Sequence, residues 1–97
     1  MAENSVRVVA RIMAKPDKVS ELRTILSSLT ETTRKEKGCI RYEMLENRSD
    51  PTDFTFVEEW ADDAALETHL TGLQSSLPKV MDLVTEPPEI RTYSVVG

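Results

Sequence analysis

Phe54-Thr55-Phe56-Val57-Glu58-Glu59-Trp60 runs directly into Ala61-Asp62-Asp63-Ala64-Ala65-Leu66-Glu67-Thr68-His69-Leu70. The first half has a period of two. Phe54, Phe56, Glu58 and Trp60 share one face of a strand, and Thr55, Val57 and Glu59 share the other. The second half has helical spacing: Ala65 and His69 form one i, i+4 pair, and Leu66 and Leu70 another. Asp62 stands where a helix N-cap belongs, because its carboxylate can accept the free N–H groups of a first turn. Thr71-Gly72 interrupts the pattern, so the helix is expected over Asp63 to about Leu70.

Upstream, Val6, Val8, Ala10, Ile12 and Ala14 alternate with Arg7, Val9, Arg11 and Met13. This is a strand with one apolar and one mixed face. Lys15-Pro16-Asp17 ends it, and Asp17 is the expected cap of the helix that follows. Val19, Leu22, Ile25, Leu26 and Leu29 carry that helix to about Glu36, where Gly38 gives a stop. Cys39 to Glu46 reads as a strand, with Ile40, Tyr42 and Met44 on one face. Asn47 to Asp53 is a loop with Ser49-Asp50-Pro51 as its turn. Downstream, Leu73 to Val84 is apolar at helical spacing, and Pro78 breaks or starts a helix there. Glu86-Pro87-Pro88 is a rigid connector, and Ile90 to Val96 closes the chain as a strand.

The order is β-α-β-β-α-β, an α+β ferredoxin-like unit with a four-stranded antiparallel sheet and both helices on one face. The other face is expected to carry Val9, Met13, Leu45 and Val57 among charges. A half-apolar open face on a small domain predicts a homodimer joined through the sheet faces. The 97 residues suffice for one domain, with residues 1–5 expected as a flexible tail. The single cysteine excludes an intrachain disulfide, and the single histidine excludes a multi-histidine metal site within one chain. A net charge of -5 argues against nucleic acid or an anionic membrane as partner. No apolar run approaches the ~20 residues that span a bilayer. Met1-Ala2-Glu3-Asn4-Ser5 has neither the basic nor the apolar part of an export signal, so a cytoplasmic location is expected.

Several segments together resemble the antibiotic biosynthesis monooxygenase domain family, which includes the quinol monooxygenase-like proteins. They are Ala14-Lys15-Pro16, Glu36-Lys37-Gly38-Cys39-Ile40-Arg41-Tyr42, Glu58-Glu59-Trp60-Ala61-Asp62 with Ala65-Leu66 and His69-Leu70, and Pro87-Pro88-Glu89-Ile90. The resemblance covers Val6 to Val96. It implies a dimeric α+β barrel with a pocket between sheet and helices. It also implies oxidation of a hydroquinone or polycyclic phenol by O₂ with no flavin, haem or metal, so neither cofactor nor metal is expected. Other members isomerise a small phosphorylated ketone or degrade haem, and a binding or stress-related module without turnover is a further alternative. Haem is not expected here, because Val9, His69 and Lys79 stand where the haem-degrading members carry Asn, Trp and His. Family members often have a second histidine five residues after the first. Here Gln74 holds that place, and the 70–86 segment is about two residues short by comparison.

The candidate site follows from these residues. His69 is the only side chain whose ordinary pKa lies near neutrality, and it is the candidate general base. Trp60 can offer a flat wall and an indole donor, or serve as a core anchor. Glu58 shares its face and can orient His69, bind a substrate hydroxyl, or pair with Arg7, Arg11 or Arg41; the ion pair is the preferred expectation. Tyr42 can donate to a substrate oxygen or pack across strands. Arg34, near the end of the first helix, suits the helix dipole and can also meet a substrate anion. Gln74 is the remaining candidate substrate contact.

Overall fold

The computed structural model describes residues 5–97. The expected tail therefore lies outside the described residues, apart from Ser5. Strand β1 (Val6–Met13) leads to helix α1 (Val19–Thr33), then to β2 (Cys39–Glu46) and β3 (Asp53–Trp60). Helices α2 (Asp63–Leu73) and α3 (Leu77–Met81) precede β4 (Glu89–Tyr93). The sheet is antiparallel in the order β2-β3-β1-β4, which is the ferredoxin-like arrangement.

Alternation sorts the sheet into two faces. Val8, Ala10, Ile12, Tyr42, Phe54, Phe56 and Trp60 are buried on the inner face. Leu22 and Leu26 from α1 and Leu66 from α2 close over them. The outer face carries Val9 and Leu45, both exposed, between ion pairs. There Arg7 meets Glu59 at 3.5 Å, Arg11 meets Asp53 at 3.6 Å and Arg41 meets Glu43 at 3.6 Å.

Five local details differ from expectation. Asp17 is not the cap of α1. The Lys18 N–H bonds back to the Lys15 carbonyl at 2.9 Å, and this turn delays the helix by one residue, leaving Lys18 as an N-cap with no side-chain bond. Helix α1 ends at Thr33 rather than near Glu36, because the chain tightens there. The Lys35 and Glu36 N–H groups reach back three residues, to the Thr32 and Thr33 carbonyls. Ile40 is the extra residue of a bulge, since Cys39 pairs with Trp60 while Arg41 pairs with Glu59. It is therefore exposed, instead of sharing the inner face with Tyr42. Helix α2 runs through Gly72 to Leu73, where Leu70 and Leu73 face the interior cavity and hold the last turn. The final strand stops at Tyr93, short of Val96. Asp62 caps α2 as expected, accepting the Ala65 N–H at 2.8 Å. Pro78 sits in the first turn of α3, so it starts that helix.

Candidate active site

A cleft opens between the inner sheet face and the helices. It encloses about 640 Å³, with the open space at its mouth included. Its walls are almost wholly apolar: Val8, Ala10 and Ile12 from β1, Leu26 and Leu29 from α1, and Leu70 and Leu73 from α2. Tyr42, Glu58, His69 and Ser76 supply its polar side chains, and no lysine or arginine lines it. The mouth lies between α3 and β4, at Leu77, Pro88 and Ile90.

His69 is 2% exposed and is held from three sides. Its Nδ1 lies 3.1 and 3.2 Å from the two Glu36 carboxylate oxygens. Its ring stacks on Trp60 with centroids 4.5 Å apart and planes 28° apart, and it meets the Tyr42 ring edge-on at 5.6 Å. A carboxylate at Nδ1 favours the tautomer with the proton there, which leaves Nε2 as the acceptor.

Glu36 reaches His69 because of Gly38. This glycine has φ +86, a region that suits residues without a Cβ. A Cβ at this position would lie 2.5 Å from the Ala65 Cβ. The glycine thus lets the end of the α1–β2 turn press against α2, four residues before His69. The Ala61 N–H donates to the Gly38 carbonyl at 2.8 Å and fixes the approach.

Glu58 is 4% exposed, and its Oε1 accepts the Trp60 indole N–H at 2.8 Å. Burial pushes its carboxyl up to about 7; the Trp60 bond opposes this and the Glu36 charge adds to it. The preferred expectation, an ion pair with a strand arginine, is overturned. Arg7, Arg11 and Arg41 project from the other face and pair with Glu59, Asp53 and Glu43. Strand alternation separates them from Glu58. Glu58 makes no hydrogen bond to His69 among the described residues either; the carboxylate at Nδ1 is that of Glu36.

Tyr42 is buried beside Phe56, with ring centroids 5.1 Å apart. Burial, and after it the nearby Glu58, pushes its phenol well above the ordinary range, although a hydrogen bond with Thr33 opposes the shift. Tyr42 is therefore a neutral hydroxyl at neutral pH. Cys39 is likewise raised, first by burial and then by Glu36 and Glu58.

The structure brings His69, Glu58 and Tyr42 together on the cavity wall and leaves three other candidates off it. Trp60 is fully buried behind His69, with its face given to the imidazole and its N–H to Glu58, so it supports the site without lining it. The Arg34 Nε donates to the Tyr42 carbonyl at 2.9 Å and ties the end of α1 to β2. Gln74 is the exposed C-cap of α2. Neither lines the cavity. Among the described residues, no three His, Cys, Asp or Glu side chains converge as metal ligands.

The family model "Antibiotic biosynthesis monooxygenase" matches residues 5–75. The chain belongs to this family. The uncharacterised protein sll1783 of Synechocystis sp. is 32% identical over 96 residues, 97% of this chain. The chain spans 65% of the length of that relative. YcnE of Bacillus subtilis, a proposed monooxygenase, is 29% identical over 83 residues, 84% of this chain and 87% of its own. The crystal structure of a conserved protein from Methanosarcina mazei Go1 superposes with a TM-score of 0.88 at 33% identity, covering 96% of this chain and 94% of the other. Among the described residues no helix is long and apolar enough to cross a membrane.

Proposed function

We propose that this antibiotic biosynthesis monooxygenase family member is a cytoplasmic homodimer that oxidises a planar hydroquinone or polycyclic phenol with O₂ and no cofactor. The observation that carries this reading is a histidine fixed on the wall of an otherwise apolar cavity by a carboxylate and an indole. His69 Nε2 takes the proton of a substrate hydroxyl, and the Glu36 carboxylate stabilises the imidazolium that results. The electron-rich anion then reduces O₂. One oxygen atom forms a bond to a ring carbon and the other leaves as water, together with two hydrogens of the quinol. The apolar walls keep water away from the anion, and Tyr42 meets a substrate oxygen as a neutral donor.

The alternative of a phosphorylated ketone finds no support in the lining. A phosphate would meet the Glu58 carboxyl and no lysine or arginine. Arg34 and Gln74 have no part in this reading.

The test is O₂ uptake by metal-stripped protein given reduced naphthoquinols and anthrones, beside His69→Ala. Uptake above the spontaneous rate, reduced about 100-fold or more in the variant, upholds the reading. Equal uptake by both proteins removes His69 from the chemistry.

A further inference from the structure

Oxygenation as described needs a base and a dry pocket. It leaves a second proton carrier on the wall without a task. Glu58 lines the cavity, and only one of its oxygens is engaged, by a neutral donor. Among the described residues no lysine or arginine pairs with it, and the sheet arginines pair on the opposite face. A buried carboxyl with no cationic partner keeps its proton and becomes a hydrogen-bond donor. His69 has the opposite character, since the carboxylate of Glu36 at Nδ1 makes Nε2 an acceptor. Trp60 joins the two, by its N–H to Glu58 and by its face to His69. An acid and a base therefore line one apolar cavity.

We infer that this cavity interconverts the keto and enol forms of uncharged cyclic ketones fused to an arene, without any need for oxygen. His69 Nε2 removes a proton from the carbon beside the carbonyl, and that C–H pair becomes the new C=C bond. The carbonyl π pair takes the proton of Glu58, forming the enol O–H. The reverse step, or exchange with solvent, restores both residues. No electron leaves the substrate, so no oxidant is required. The inference rests on the oxygenation reading for His69 as base but on none of its steps with O₂. The lack of any lining lysine or arginine argues against an anionic substrate, and the apolar walls against any charged one.

The experiment is deuterium exchange at the benzylic CH₂ of 2-tetralone in D₂O under argon, followed by NMR. The wild type should accelerate exchange about 100-fold over buffer, and His69→Ala should return it to the buffer rate. Glu58→Gln preserves an acceptor for Trp60 and should lower exchange at least about 10-fold, with Glu58→Asp recovering part. Wild-type exchange at the buffer rate, or a folded E58Q that exchanges as the wild type does, overturns the inference. Should E58Q not fold, the wild-type pH profile decides. The titratable groups around Glu58 are Tyr42 and Cys39 of β2, Glu36 of the preceding turn and His69 of α2. Catalysed exchange must fall above the pH at which Glu58 ionises, and a rate flat to about pH 9 overturns the inference. Parallel O₂ uptake with a naphthoquinol separates the two readings. Exchange without uptake upholds the inference and ends the oxygenation reading. Uptake without exchange does the reverse.

Discussion

Glu58→Gln should stabilise the protein at alkaline pH and leave it nearly unchanged in acid. In the unfolded chain this carboxyl ionises near 4.5, and in the folded chain near 7. Between those values the folded state binds more protons than the unfolded state, so wild-type stability falls as pH rises through that window. Below the window both states are protonated and the penalty is absent. Above it both are ionised and the penalty is complete. At ~1.4 kcal/mol per pH unit, the gap corresponds to about 3 kcal/mol, a large share of the 5–15 kcal/mol typical of a small domain. The amide mimics the protonated carboxyl: its oxygen still accepts the Trp60 N–H, and it never ionises. Trp60 is the sole tryptophan and is fully buried, so its fluorescence reports unfolding in urea. Unfolding curves for both proteins at about pH 4 and about pH 8.5 give the difference directly. The gap should open by about 3 kcal/mol in favour of the variant on going to the higher pH. A gap that does not change with pH would mean that Glu58 ionises as an ordinary surface carboxylate. Its role as a proton donor would fall with it.

Gly38→Ala should cost about 2–4 kcal/mol in urea unfolding, from left-handed backbone strain and the collision with Ala65. Adding Ala65→Gly should recover part of that loss, and an unaffected single variant would show that the α1–β2 turn does not press on α2. Glu36→Ala should lower kcat for quinol oxidation about 10- to 100-fold with KM little changed, because it frees the imidazole to turn without touching substrate. A change confined to KM would place Glu36 in substrate binding instead. Leu45→Glu, at an exposed apolar position of the outer sheet face, should turn a sedimenting dimer into a monomer. An unchanged sedimentation coefficient would move the interface elsewhere.

The fold was legible because its strongest signals are local. Phe54, Phe56, Glu58 and Trp60 alternate within one strand, and all four are buried. Asp62 caps the helix it precedes. The bulge at Ile40 was not legible, since a register shift is a property of two strands and only one is written in that segment. In the site, His69 and Glu58 could be named from chemistry and face. The carboxylate partner of His69 could not, because Glu36 lies 33 residues away and the contact exists only through the approach of α2 to the turn before β2. Gly38 is the available signal: its place after the periodic residues marks a helix stop, while its closeness to Ala65 is what delivers Glu36. Arg34 and Gln74 were placed by helix ends and by register with relatives. Neither criterion fixes which way a side chain turns.

The two faces of the sheet set one another's terms. The inner face buries Glu58, His69 and Thr33, polar groups that contribute less to stability than apolar residues of the same volume. A chain of 97 residues has few other places to recover that loss. The outer face holds Val9, Ile40, Leu45 and Tyr93 exposed, the apolar area that a second copy would cover at about 25 cal/mol per Å². Strand β4 belongs to both faces. Ile90 stands opposite Ala10 and lines the cavity mouth, while Arg91 and Tyr93 stand opposite Val9 and Arg7 on the outer face. A partner seated on the outer face would hold β4 along its length and so stiffen the mouth. In this geometry dimerisation would offset the polar groups of the site and would also fix the strand that bounds its entrance.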